Sequence, residues 1–267
     1  MAMHSLVQDI VDAYLSLVDA EAPGLVQGLY LAGSVALSDF HPEASDIDFV
    51  AVASAVCDAA GVAALERVHA RLAARYRRPF FDGLYVTWDQ LAHNPLHTAP
   101  GPCAHEGHVQ PRVNHDRHPV TWHTLAQHGI TVRGPQRQTL DIWTNRDVLA
   151  AWTRGNLDRY WRPWHRRSSH LLSKPGLVCL GSWGPSWGVL GVSRLHYTLA
   201  TGEITSKEGA GLYALDTFPA RWHRIIDECL RIRRGAHGRP LYGNPLTRRH
   251  EALAFMAMAI DDALSIP

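Results

Sequence analysis

The chain has 267 residues, of which 46% are hydrophobic and 19% charged, and its 26 Lys plus Arg nearly cancel 25 Asp plus Glu, leaving a net charge near +1. That length allows one large domain or two smaller ones. The charge balance excludes a global field that would by itself recruit nucleic acid or an anionic membrane, and no apolar run approaches the ~18 residues of a membrane span.

Residues His4 to Ala20 space Leu6, Ile10, Val11, Tyr14, Leu15 and Val18 at three- and four-residue intervals, which predicts an amphipathic helix. Leu25 to Ala32 reads as a short buried strand. After a turn at Gly33-Ser34, Asp46 to Ala53 reads as a second strand, with Ile47, Phe49 and Ala51 on one face and Asp46, Asp48 and Val50 on the other. Ala59 to Arg77 carries Val62, Leu65, Val68, Leu72 and Ala73 on a helical period and is closed by Pro79. Phe81 to Trp88 predicts a third strand in which Asp82, Leu84 and Val86 share a face. Helices and strands in this order build a mixed sheet with helices packed against it.

From Ala92 to Pro119 the pattern gives way to histidines, prolines and glycines, which predicts a long surface loop. Its histidines His105, His108, His115 and His118 have no cysteine partner pattern, so they read as loop residues rather than a zinc site. A helix over Val120 to His128 and a strand over Ile130 to Arg133 follow. Beyond about residue 142 the strand signal disappears and helical patterns run to the end. The fold class is therefore α+β over residues 1–142, followed by an all-α helical bundle over 143–267. The cysteines Cys57, Cys103, Cys179 and Cys229 show no CxxC spacing, and the first residues show no charged-then-apolar leader. Both point to reduced thiols in a cytoplasmic protein.

Two carboxylates on one strand face repel each other and need a compensating cation. Mg²⁺ is the natural one, since it takes hard oxygen ligands, usually one or two carboxylates with water and phosphate. Gly33-Ser34 supplies the other half: glycine lets the backbone approach a ligand closely, and the helical turn after it offers N–H groups to a phosphate. The combination of strand, Gly-Ser, helical turn, eleven further residues and an Asp-Ile-Asp that opens a strand is far more specific than its parts.

This Gly-Ser…Asp46-Ile47-Asp48 pattern resembles the nucleotidyltransferase superfamily, and within it the aminoglycoside (streptomycin/spectinomycin) adenylyltransferases. The stretch SRLHYTLATGEITSKEGA, residues 193 to 210, is similar to a segment of their helical C-terminal domain. The resemblance implies a nucleotidyltransferase-type sheet and transfer of AMP from ATP with two Mg²⁺ ions held by Asp46 and Asp48, and release of pyrophosphate. It implies that Gly33 and Ser34 receive phosphates, and that Arg194 and Lys207 stand against the triphosphate. Asp82 falls where those enzymes carry a glutamate base. One methylene shorter, it is either the base or a third carboxylate of the metal site. The implied acceptor is a small hydroxylated molecule, first an aminoglycoside or aminocyclitol. The basic and aromatic stretch 156 to 170, and GSWGPSWGVLG at 181 to 191 with tryptophans and no carboxylate, keep other readings in view: transfer to a tRNA end or a protein hydroxyl, or a nucleotide-binding regulator without turnover.

Overall fold

In the computed structural model, which describes residues 3–235 and 238–267, the chain divides into two units, Met1–Asn145 and Arg146–Pro267. The first is built on a six-stranded sheet. In chain order its elements are α1 (Ser5–Glu21), β1 (Val26–Leu31), the one-turn α2 (Gly33–Ala36), β2 (Ile47–Ala53), α3 (Ala59–Arg75), β3 (Phe81–Val86), the short α4 (Trp88–Leu91), β4 (Gly101–His105), β5 (His108–Val113), α5 (Pro119–His128) and β6 (Ile130–Arg133). The strands lie in the order β5-β4-β3-β2-β1-β6. β2 and β3 run parallel, joined by the crossover helix α3, and the other neighbours run antiparallel.

The two-residue period of the strands divides the core. Ile47, Phe49 and Ala51 of β2, with Phe81 and Tyr85 of β3, face α1 and α3, where Val7, Ile10, Val11, Tyr14, Leu65 and Val68 are fully buried. Val50 and Val52, with Leu84 and Val86, face the opposite way and pack under Trp122 and Leu125 of α5. Asp48 and Asp82 belong to this second face, two residues before the apolar side chains begin.

The expectation of a featureless loop over 92 to 119 is overturned. That segment contains a 3₁₀ turn at Pro95–His97 and the β4–β5 hairpin. Sequence periodicity missed the hairpin because β5 is an edge strand exposed along most of its length, so no apolar side marks it. Pro111 is admissible there for the same reason, since an edge strand can forgo a ladder donor. His118 is a cap residue: its Nδ1 accepts the Thr121 N–H at the start of α5.

The second unit is helical: α6 (Arg146–Asn156), a π turn over Leu157–Trp161 that continues into α7 (Arg162–Ser169), α8 (Lys174–Val178), α9 (Trp183–Thr201), α10 (Lys207–Thr217), α11 (His223–Arg233) and α12 (Pro245–Ser265). Helix α9 is the spine. α10, α11 and α12 pack on it, and its Val189, Leu190 and Val192 are fully buried. It begins five residues before the periodic signal at Gly188, because Gly184 and Pro185 mask the helix from a propensity reading while Pro185 is well tolerated in a first turn. Gly202 ends it at φ +73, the left-handed cap that glycine takes readily. All four cysteines are free thiols, and among the described residues no helix is long and apolar enough to cross a membrane.

Candidate active site

The chain leaves β1 at Leu31, turns at Gly33 with φ +52, and makes the single turn α2. The first N–H groups of any helix lack partners within it. The return into β2 is fastened to the turn: Ala32 N–H donates to the Asp48 carbonyl at 2.8 Å, and Ser34 Oγ donates to the Asp46 carbonyl at 3.3 Å. Asp48 is exposed at the second position of β2, and its side chain lies directly against Gly33. A β-carbon on residue 33 would stand 1.8 Å from Asp48 Oδ2. The Gly-Ser turn and the second aspartate thus form one interlocked unit, although fifteen positions separate them in the chain.

Asp46, just before β2, is half-exposed and pairs with Arg78 Nη1 at 3.2 Å. Both partners are solvated, so the pair is worth at most ~1 kcal/mol and yields readily to a stronger cation. The half-exposed Asp46 carboxylate and the exposed Asp48 carboxylate, with no β-carbon intruding from Gly33, fit a hard-oxygen cation such as Mg²⁺.

Parallel pairing sets Asp82 of β3 directly beside Asp48 of β2. Asp82 is buried where the others are not. Its Oδ1 accepts the Glu106 N–H at 2.9 Å, and His105 Nδ1 lies 3.2 Å from its Oδ2. Burial pushes the Asp82 carboxyl up to about 6; the His105 ring opposes the rise, the nearby Asp46 charge adds to it, and the Glu106 N–H opposes it. Behind His105, the His115 ring stands 5.3 Å away, with His115 Nε2 3.5 Å from Asp116 Oδ2. Burial alone would raise the Asp116 carboxyl, but His118, His115 and His105 together hold it below its ordinary value.

In the second unit, Arg194 lies midway along α9 and Lys207 opens α10, whose Ser206 cap accepts the Gly209 N–H at 3.0 Å; both cations are half-buried. Trp187 packs on the core, and the ring of Trp183, 61% exposed, stacks on it at 5.3 Å and 15°. In the basic and aromatic stretch, Trp161 and Trp164 turn inward, and Arg162 reaches Asp261 at 2.6 Å. Sequence reasoning missed Glu106 and Arg78, and read His105 as a loop histidine with no tie to Asp82. His105 and Glu106 carry no motif and reach Asp82 only through the hairpin. For Arg78 the one available signal was a basic cluster ahead of Pro79.

The first unit is thus a mixed sheet that sets three aspartates at the openings of two parallel strands and interlocks a Gly-Ser turn with one of them, and a helical unit follows it in the chain. Residues 178–255 match the family model of the aminoglycoside adenylyltransferase C-terminal domain. The chain is similar in fold to the spectinomycin adenyltransferase AAD(9) from Enterococcus faecialis, whose crystal structure holds ATP and spectinomycin. The TM-score is 0.65 at 11% identity, over 94% of this chain and 99% of that one. No curated protein matches the chain in sequence.

Proposed function

We infer that the protein transfers AMP from ATP to a hydroxyl of a small molecule, first of all an aminoglycoside or aminocyclitol antibiotic, with release of pyrophosphate. The observation that carries this reading is the close approach of Gly33 to the Asp48 carboxylate, in register with Asp82. It brings a turn suited to phosphate and the carboxylates suited to a metal to one place. The C-terminal family match and the shared fold with a structure solved with ATP and spectinomycin support the direction.

In this reading the Gly33-Ser34 turn binds phosphate oxygens through backbone N–H groups, and glycine at 33 keeps the approach open. Asp46 and Asp48 would hold Mg²⁺, which when bound neutralises the triphosphate. Asp82, in the neighbouring strand, takes the proton of the acceptor hydroxyl as its oxygen bonds to the α-phosphorus and the bond to the β-phosphate breaks. A carboxyl near 6 suits that task at neutral pH, because it is ionised yet more basic than an ordinary aspartate. The resemblance to the adenylyltransferases assigns Arg194 and Lys207 to the triphosphate.

The test is to incubate the protein with Mg²⁺ and α-labelled ATP against aminoglycosides, aminocyclitols, tRNA and bulk protein, with Asp48→Asn as control. Label on a drug, abolished in Asp48→Asn, supports the reading. Label on RNA or protein assigns the same chemistry to another acceptor, and no transfer to any of them refutes it.

A further inference from the structure

The β4–β5 hairpin ends in a two-residue turn, Glu106-Gly107, flanked by the paired His105 and His108. Both turn residues have positive φ, +50 at Glu106 and +79 at Gly107. A turn with φ positive at both centres favours Asn, Asp or Gly, and a glutamate at the first is unusual. This conformation aims the Glu106 N–H at Asp82 Oδ1, at 2.9 Å, while the residue before the turn brings His105 Nδ1 to 3.2 Å from Asp82 Oδ2. Each carboxylate oxygen therefore has its own neighbour, the Glu106 N–H on Oδ1 and the His105 ring on Oδ2, and both come from one hairpin tip.

We propose that the β4–β5 hairpin tip is a positioning element for Asp82, with His105 as its essential side chain, fixing the carboxylate toward the acceptor. A free aspartate at the opening of a strand samples several rotamers, and a misplacement of ~1 Å can cost ~100-fold in rate. The clamp does not block the base. A carboxylate offers about four lone-pair sites. Two donors occupy one site on each oxygen and leave one on each for a proton. The His115 ring beside His105 limits the swing of the imidazole from behind. Because His105 is 47% exposed, its replacement leaves the core intact.

The inference rests on the reading of Asp82 as the base, and its test separates the two. With the full-length protein, His105→Ala lowers kcat for AMP transfer by about 10- to 100-fold, the range for removing a supporting hydrogen-bond partner, with the KM for ATP unchanged. His105→Asn, whose amide N–H can stand where Nδ1 stands, restores most of the rate. Hydrogen exchange at the Glu106 amide provides a second readout that needs no turnover: protection falls in His105→Ala and returns in His105→Asn. Unchanged kcat in His105→Ala overturns the proposal, and so does a His105→Asn variant as slow as His105→Ala, which would give the ring a role other than placement. If the wild type transfers AMP to no acceptor, the proposed function fails, while Glu106 protection still decides whether His105 holds Asp82.

Discussion

A methyl group on residue 33 would meet Asp48 Oδ2 at 1.8 Å, and the φ of +52 there adds ~1 kcal/mol for any side chain. Gly33→Ala must push the Asp48 carboxylate away or reopen the turn, and either spoils the meeting of phosphate and metal ligands. The expected result is a fall in kcat/KM for ATP of ~100-fold or more, with a melting temperature within a few degrees of wild type, because Gly33 itself belongs to neither core of its unit; assay and thermal melt check the two halves. At Asp82 the sign follows from burial. A base works unprotonated and this carboxyl titrates near 6, so kcat/KM should fall with unit slope as pH drops through about 6 and be flat from 7 to 8. A profile with no inflection there removes Asp82 from the role. At this scale the sequence was a good guide to the carboxylates: the alternation of β2 and β3 puts Asp48 and Asp82 on one face, and the strands do so in register. It could not disclose that Asp82 is buried or that His105 touches it, since both depend on a contact 23 residues away in the chain.

Between elements, α1, α3 and β3 meet at a polar knot inside the first unit. His69 Nε2 and Tyr85 OH lie 2.8 Å apart, Tyr85 OH and Tyr14 OH again 2.8 Å apart, and all three residues are essentially inaccessible. Burial depresses His69 from 6.5 to about 4, because a charged imidazole there would lose its hydration. The unfolded chain therefore binds a proton that the folded chain refuses between those values. Stability from this group is full above about 6.5 and declines as pH falls toward 4. The slope is ~1.4 kcal/mol per pH unit, or ~2 kcal/mol between pH 7 and 5. Urea unfolding at both pH values checks this: His69→Gln should show a smaller loss, and an equal loss would deny His69 the part. Helices and central strands were legible from apolar periodicity because each buries one side. The hairpin was not, because β5 is exposed along most of its length, and the π turn at Leu157–Trp161 was not, because a helical period passes through it almost unchanged.

For the molecule as a whole, the core clusters divide as the chain does: one is drawn wholly from residues 157 to 263, the other two wholly from the first unit. A unit with its own core, of ordinary domain size, should fold by itself. Its internal ties point the same way. Glu228, with no exposed side-chain surface, accepts from Arg231 Nε at 2.8 Å and Nη2 at 3.0 Å and from the Leu241 N–H at 3.0 Å, with Arg248 of α12 at 3.5 Å. This one carboxylate fastens α11, α12 and the segment between them. Residues 146–267 expressed alone should therefore give a helical spectrum and a cooperative melt, yet show no AMP transfer, because every carboxylate assigned to the reaction lies in the other unit. Glu228→Gln in that fragment removes the buried charge and strands two guanidinium groups, and should cost ~3 kcal/mol. If the fragment melts without cooperativity, the second core is insufficient by itself; if it melts cooperatively and Glu228→Gln leaves it unchanged, the packing around α9 carries the stability and the buried ion cluster adds only specificity.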